Sequence, residues 1–150
     1  MWRAFECLEW LDSHPASSVV YLSFGSVVVL ESDQMGEIAW GIQNSGRSFM
    51  WVGKSGDNEI EMRRLPKGFL EKTTWRGMVV KWCPQERVLS HPSVACFLTH
   101  CGWNSSRESL CCGVPVISFP QWGDQVTNAK FLEEVRGVGF RWAMEGNRLC

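Results

Sequence analysis

Short apolar runs, each closed by a glycine, proline or charged break, recur along the chain and constrain its fold more than any other feature. They are VVYLSF at 19–24, SFMWV at 48–52, GMVVK at 77–81, VACFLT at 94–99, VPVISF at 114–119 and a last run at 138–142. Runs of this length without polar alternation suit strands buried on both faces, as in a parallel sheet. Stretches of helical spacing lie between them. Phe5, Leu8 and Leu11 mark a lead-in helix over 4–12, and Met35, Ile38, Ala39 and Ile42 form one face of a helix over 31–44 that Gly46 ends. Further helices are expected after Pro66, from Pro84 to Leu89, over 105–112 before Gly113, and over 124–135. The charged stretch 54–64 reads as a surface loop. Strands alternating with helices predict an α/β, Rossmann-like doubly wound parallel sheet with right-handed crossovers.

Composition narrows the partners. The chain has 150 residues, enough for one domain with a real core, and a net charge of −1 with both signs interspersed. No basic stripe offers to neutralise a nucleic-acid backbone and no polybasic patch faces a membrane, so neither is expected as a partner. The residues after Met1 carry no apolar signal-peptide core, and no apolar run reaches the length of a membrane span. The seven cysteines are odd in number, irregularly spaced and free of CxxC pairs, with Cys111 and Cys112 adjacent. That argues for reduced, buried thiols in a cytoplasmic protein rather than a disulfide framework. His91, Cys96, His100 and Cys101 fit no common zinc spacing, so no metal is expected.

The polar breaks between 82 and 125 carry the chemistry. In THCGWNSSRES a strand ends, Gly102 turns the chain and a helix opens near Asn104 and Ser105, so free N–H groups and the helix dipole favour an anion. His100 can add a hydrogen bond or a charge. Ser105 and Glu108 also have the spacing of a capping box, and capping and anion binding both stand as readings of this stretch. Trp82, between a strand and a Cys-Pro turn, can offer a flat face to a planar base or fill the core. Glu108 can hold a ribose diol. Asp124 and Gln125 have the acceptors and the amide donor that grip vicinal sugar hydroxyls, although Asp124 can equally cap the next helix. In chain order these residues describe a site for base, ribose, diphosphate and sugar. No GxxxxGK[ST] loop or well-placed GxGxxG occurs, which removes NTP hydrolysis and dinucleotide redox chemistry.

From Trp82 to Gln125 the chain resembles the plant secondary-product glycosyltransferase signature box, with WCPQ, HCGWNS, ES, GVP and FPQWGDQ in register. ECLEWLD and VVYLSFGS extend the similarity toward the start. The resemblance is to the carboxyl-terminal, donor-binding half of the plant UDP-glycosyltransferases, whose GT-B fold has two Rossmann-like halves. It implies UDP-glucose as donor substrate and no cofactor. It further implies that Trp82 stacks on uracil, the Cys83 backbone reads its edge, and Gln85 and Glu108 hold the ribose. Ser26, His100, Asn104 and Ser105 would bind the diphosphate, with the Trp103 backbone near the sugar and Asp124 and Gln125 on the glucose hydroxyls. Arg107 replaces the family's usual aliphatic residue. The wording WCPQ and FPQWGDQVT is similar to the subgroup that makes glucose esters of phenolic or other carboxylic acids. The family's acceptor-activating histidine belongs to an amino-terminal half, so the resemblance assigns no catalytic base to His14, His91 or His100. A whole enzyme would invert the anomeric centre and meet its small-molecule acceptor through that other half. A binding fragment without catalysis and an inactive truncated product are the alternatives. Exposed loop tryptophans at 103 and 122 are expected to be covered by a ligand or a partner domain.

Overall fold

The computed structural model describes residues 4–53 and 65–142, with side chains described from Glu6 onward. The expected loop at 54–64, the Phe5 side chain and Cys150 lie outside the described residues. Along the chain run α1 (Ala4–Asp12), β1 (Val19–Ser23), α2 (Ser32–Ser45), β2 (Ser48–Val52), α3 (Phe69–Thr73) and β3 (Gly77–Val80). They are followed by α4 (Gln85–Leu89), β4 (Val94–Thr99), α5 (Trp103–Cys112), β5 (Val116–Ser118), α6 (Asp124–Lys130) and β6 (Gly139–Arg141). The strands form one six-stranded sheet in the order β3-β2-β1-β4-β5-β6. Every pairing is parallel, so each strand returns through a crossover.

Period-two alternation in β1 divides the core. Val20 and Leu22 face α2 with Met35, Ile38, Ala39, Ile42, Phe49, Trp51 and Phe69. Val19 and Tyr21 face the other layer with Leu11, Met50, Val88, Leu89 and Phe97. Tyr21 stacks on Phe97 with ring centroids 4.8 Å apart. Both faces of β1 are therefore buried, which is why its sequence shows no polar alternation.

The helix ends are closed by specific groups. Gln34 Oε1 accepts from the Glu31 N–H at 3.0 Å, completing a capping box at the start of α2. At its other end Gly46 takes the left-handed conformation, and the buried Arg76 guanidinium donates to the carbonyls of Ile42, Gln43 and Arg47. The expected single helix over 124–135 is α6 widened into a π turn at Phe131–Val135, where Arg136 N donates to Phe131 O. Strand order reverses between β1 and β4, and in open parallel sheets ligands bind at the carboxyl ends of the strands where this happens. Among the described residues no helix is long and apolar enough to cross a membrane.

Candidate functional site

Strand register builds the site. Ser23 lies level with Val52 and Thr99, Val52 with Val80, and Thr99 with Ser118. The residues that follow these positions leave the sheet together along its carboxyl edge: Gly25 and Ser26 after β1, Gly53 after β2, Lys81 to Cys83 after β3, and His100 after β4. A cavity of about 310 Å³ opens there, and among its walls are Tyr21, Ser26, Lys81, Trp82, Gln85 and Glu108. Trp82 is 59% exposed, so its indole is not a core residue and its face is available to a planar ligand.

Beneath Trp82 lies a hydrogen-bonded floor. Tyr21 OH donates to Gln85 Oε1 at 3.1 Å and stands 3.2 Å from Cys83 Sγ. Gln85 Nε2 donates to Glu108 Oε2 at 2.6 Å and to Ser105 Oγ at 3.3 Å. Burial pushes the Tyr21 hydroxyl well above the ordinary tyrosine range and the Cys83 thiol to about 11, so both stay protonated at neutral pH. These contacts fix the Gln85 amide and turn its partner Glu108 into the cavity wall.

One sequence expectation is corrected here. Ser105 and Glu108 form no capping box, because α5 begins two residues earlier than expected, at Trp103, with Gly102 as its N-cap and no side-chain cap. Ser105 is thereby the third helical residue, and Glu108 turns to Gln85 instead. The first intrahelical bond runs from Ser106 N to Gly102 O at 2.9 Å, so the N–H groups of Trp103, Asn104 and Ser105 have no partner within the helix. Trp103 and Asn104 are exposed and Ser105 is buried at the base of this turn. The alternative of Asp124 as an N-cap is corrected in the same way: Gly123 is the N-cap of α6 and Asp124 the first helical residue.

His100 is held between two glycines. A Cβ on Gly25 would stand 2.8 Å from His100 Cε1, and one on Gly102 only 2.5 Å from Nε2. Gly25 also has a φ of +70°. The imidazole thus occupies space that side chains at either position would take. Burial lowers its pKa below the ordinary histidine range, against smaller upward pulls from a hydrogen bond to the Ser23 backbone and the Asp124 charge. It is therefore neutral at pH 7.

Gln125 is 4% exposed, and its Oε1 accepts from the backbone N–H groups of Gln121 at 2.9 Å and Trp122 at 3.4 Å. With its oxygen engaged, the amide has only Nε2 to offer a ligand, as a donor. Asp124 beside it is exposed and offers an acceptor. Gln121 is braced in turn by Gln34 Nε2 at 2.9 Å, so the start of α2 steadies the loop before α6.

The site residues named from the sequence fall into two groups. Ser26, Trp82, Cys83, Gln85 and Glu108 line the one cavity. His100, Trp103, Asn104, Ser105, Asp124 and Gln125 do not line it and lie beside it, after β4 and β5. Sequence reasoning missed Tyr21, Lys81, Gln34, Gln121 and Asn128. The signal for Tyr21 was present, as a polar-tipped residue in an otherwise apolar strand; that for Asn128 was not. The other two histidines stand at the opposite edge of the sheet. His14 Nδ1 lies 2.8 Å from Trp10 O, and His91 Nε2 lies 3.1 Å from Asp12 Oδ1, in the turn that leads into β4. The six described cysteines are free, and the described residues contain no group of three or more His, Cys, Asp or Glu able to hold a metal.

Residues 3–144 match the family described as UDP-glucoronosyl and UDP-glucosyl transferase. The chain belongs to that family. A gallate 1-beta-glucosyltransferase of Punica granatum is 60% identical over 141 residues, which are 93% of this chain and 27% of that protein. A limonoid UDP-glucosyltransferase of Citrus unshiu is 59% identical over 138 residues, 91% of this chain and 27% of its own. Among solved structures, a UDP-glucose: anthocyanidin 3-O-glucosyltransferase in complex with UDP superposes with a TM-score of 0.87 at 42% identity, covering 94% of this chain and 31% of that one. The chain spans under a third of the length of each of these transferases. The sheet and its helices are accordingly one Rossmann-like half of a GT-B fold.

Proposed function

We propose that this chain is the donor-binding part of a UDP-glucose-dependent glucosyltransferase that, with an acceptor-binding half, transfers glucose with inversion to a small molecule such as a phenolic or other carboxylic acid. The carrying observation is the order of groups along the carboxyl edge of the sheet. An exposed tryptophan beside a Gln85–Glu108 pair leads to an uncapped helix start with His100, and then to Asp124 and Gln125. Uracil would lie on Trp82 with its edge at the Cys83 backbone, and the ribose hydroxyls would meet Glu108 and Gln85. The diphosphate would meet Ser26, His100, the N–H groups of α5 and the side chains of Asn104 and Ser105. The hexose would lie near the Trp103 backbone, against the acceptor Asp124 and the donor Gln125.

As the anomeric bond breaks, negative charge gathers on the departing diphosphate. The positive end of α5 and the neutral donors around it stabilise that charge in place, so the site requires no metal or other cofactor. In this reading none of His14, His91 and His100 serves as the acceptor's base: His100 would meet the diphosphate, and His14 and His91 bond to Trp10 and Asp12 before the amino ends of β1 and β4. Glucosyl-ester formation as the finer activity draws support from the gallate 1-beta-glucosyltransferases of Punica granatum and Quercus robur, each 60% identical over 141 residues. A soluble, cytoplasmic setting with no membrane or nucleic-acid partner fits the near-neutral mixed charge.

Calorimetric titration of the chain with UDP and UDP-glucose is the test. Saturable binding that Trp82→Ala weakens is expected, with no glucose transfer to a phenolic acid by the chain alone. Absence of UDP binding, or binding indifferent to Trp82→Ala, would refute the reading.

A further inference from the structure

Asn128 lies beyond the donor grip described above, yet two parts of that grip meet at its side chain. One helical turn after Asp124, its Nδ2 donates to Asp124 Oδ2 at 3.0 Å and to the Cys101 carbonyl at 3.0 Å. An amide nitrogen carries two hydrogens, so both are committed. Each of the two acceptors is significant. Cys101 is a fully buried non-glycine residue with a φ of 63°, a conformation that L-residues seldom take. The peptide plane of its carbonyl carries the Gly102 N–H and leads directly into the start of α5 at Trp103, and that carbonyl is tied down from another helix. On Asp124, one carboxylate oxygen is held, which leaves Oδ1 with a defined direction toward a sugar hydroxyl.

We propose that Asn128 is a positioning residue that couples the diphosphate loop at 101–104 to the sugar-binding carboxylate of Asp124, so that diphosphate and hexose are recognised together. This rests on the donor reading of the site. Asn128 itself touches neither group; it acts through two others. A purely structural tie between α6 and the loop would weaken all nucleotides alike, whereas a positioning role makes UDP-glucose lose more than UDP.

The chain is titrated with UDP and with UDP-glucose, unsubstituted and as Asn128→Ala, Asp124→Ala and the double variant. Asn128→Ala is expected to reduce the preference for UDP-glucose over UDP roughly tenfold, the worth of one oriented hydrogen bond. In the Asp124→Ala background the same substitution should lower both affinities by one common factor. A preference left unchanged by Asn128→Ala, or equally reduced in both backgrounds, would overturn the proposal. The unsubstituted chain supplies a reading that does not depend on how the variants fold. In its 15N-correlated NMR spectrum, the Asn128 side-chain NH2 signals should move when UDP is added and again when UDP-glucose replaces it. Signals that stay in place on that replacement would overturn the coupling. Failure of the unsubstituted chain to bind UDP would instead refute the donor reading and the coupling with it.

Discussion

Gly102→Ala isolates the contribution of His100, because the backbone there needs no glycine. Its φ is −59° and its ψ 152°, values any residue adopts. The substitution therefore acts through space alone. The new methyl group would stand 2.5 Å from His100 Nε2, 3.1 Å from Cε1 and 3.3 Å from Cδ2. Ordinary contact needs about 3.5 Å, so the ring must retreat by roughly 1 Å. Gly25 also approaches the Cε1–Nε2 edge of the ring, where a Cβ would stand 2.8 Å from Cε1 and 2.9 Å from Nε2, so the retreat moves that edge of the imidazole away from its place beside α5. A hydrogen bond to a charged group is worth about 1.5–3 kcal/mol, and losing it corresponds to roughly a 10- to 100-fold rise in the Kd for UDP. Calorimetry with UDP, and with uridine as a competitor that lacks phosphate, separates this from general damage. UDP should lose affinity and uridine should not, while the thermal unfolding transition stays cooperative. His100→Ala added to Gly102→Ala should cost little more, since the two act on one ring. Equal losses for uridine and UDP, or no loss for UDP, would refute the placement of His100 against the diphosphate.

Other consequences can be checked in the same system. Trp82→Ala should weaken UDP binding by about 1–3 kcal/mol, the usual worth of a base on an aromatic face, yet leave stability within about 0.5 kcal/mol because the indole is exposed; binding isotherms and urea unfolding measure the two. Tyr21→Phe removes the donor to Gln85 Oε1, and is expected to cost roughly 1 kcal/mol in urea unfolding and to erase any preference for UDP over its 2′-deoxy analogue. The lowered pKa of His100 gives a signed dependence on pH. The unfolded chain takes up a proton at the ordinary histidine pKa and the folded chain only below it, so stability is lost as pH falls from the first value to the second and is unaffected above it. His100→Gln should flatten that part of a melting-temperature profile, and a profile unchanged by the substitution would contradict it. Because a bound diphosphate favours the charged imidazole, UDP binding near pH 6 should take up protons, seen as a buffer-dependent heat.

Much of the fold was legible because the pattern is strong where the sheet is buried on both sides. The apolar runs at 48–52 and 94–99 coincide with β2 and β4. The run at 114–119 is longer than β5, since Pro115 has no N–H to donate and serves only as acceptor, from Phe97 N. Helix starts were less legible. The spacing of Ser105 and Glu108 is that of a cap, but a strand end and Gly102 start α5 earlier, and the nearby Gln85 amide then draws the glutamate away. Local spacing carries no information about a partner twenty-three residues upstream.

The residue types along 82–125, their order and the alternation of buried strand with amphipathic helix were set by the sequence alone, because each depends on neighbours a few residues apart. Tertiary structure decided which of those groups face one another. Parallel register brings the ends of β1, β2, β3 and β4 to one edge, and there Tyr21 reaches Gln85, two glycines enclose His100, and Asn128 joins Cys101 to Asp124. The contacts of Tyr21 with Gln85, of Gly25 with His100 and of Asn128 with Cys101 each span a crossover or a change of element. Their partners are chosen by the packing of the sheet and helices, and no periodicity in the chain encodes them.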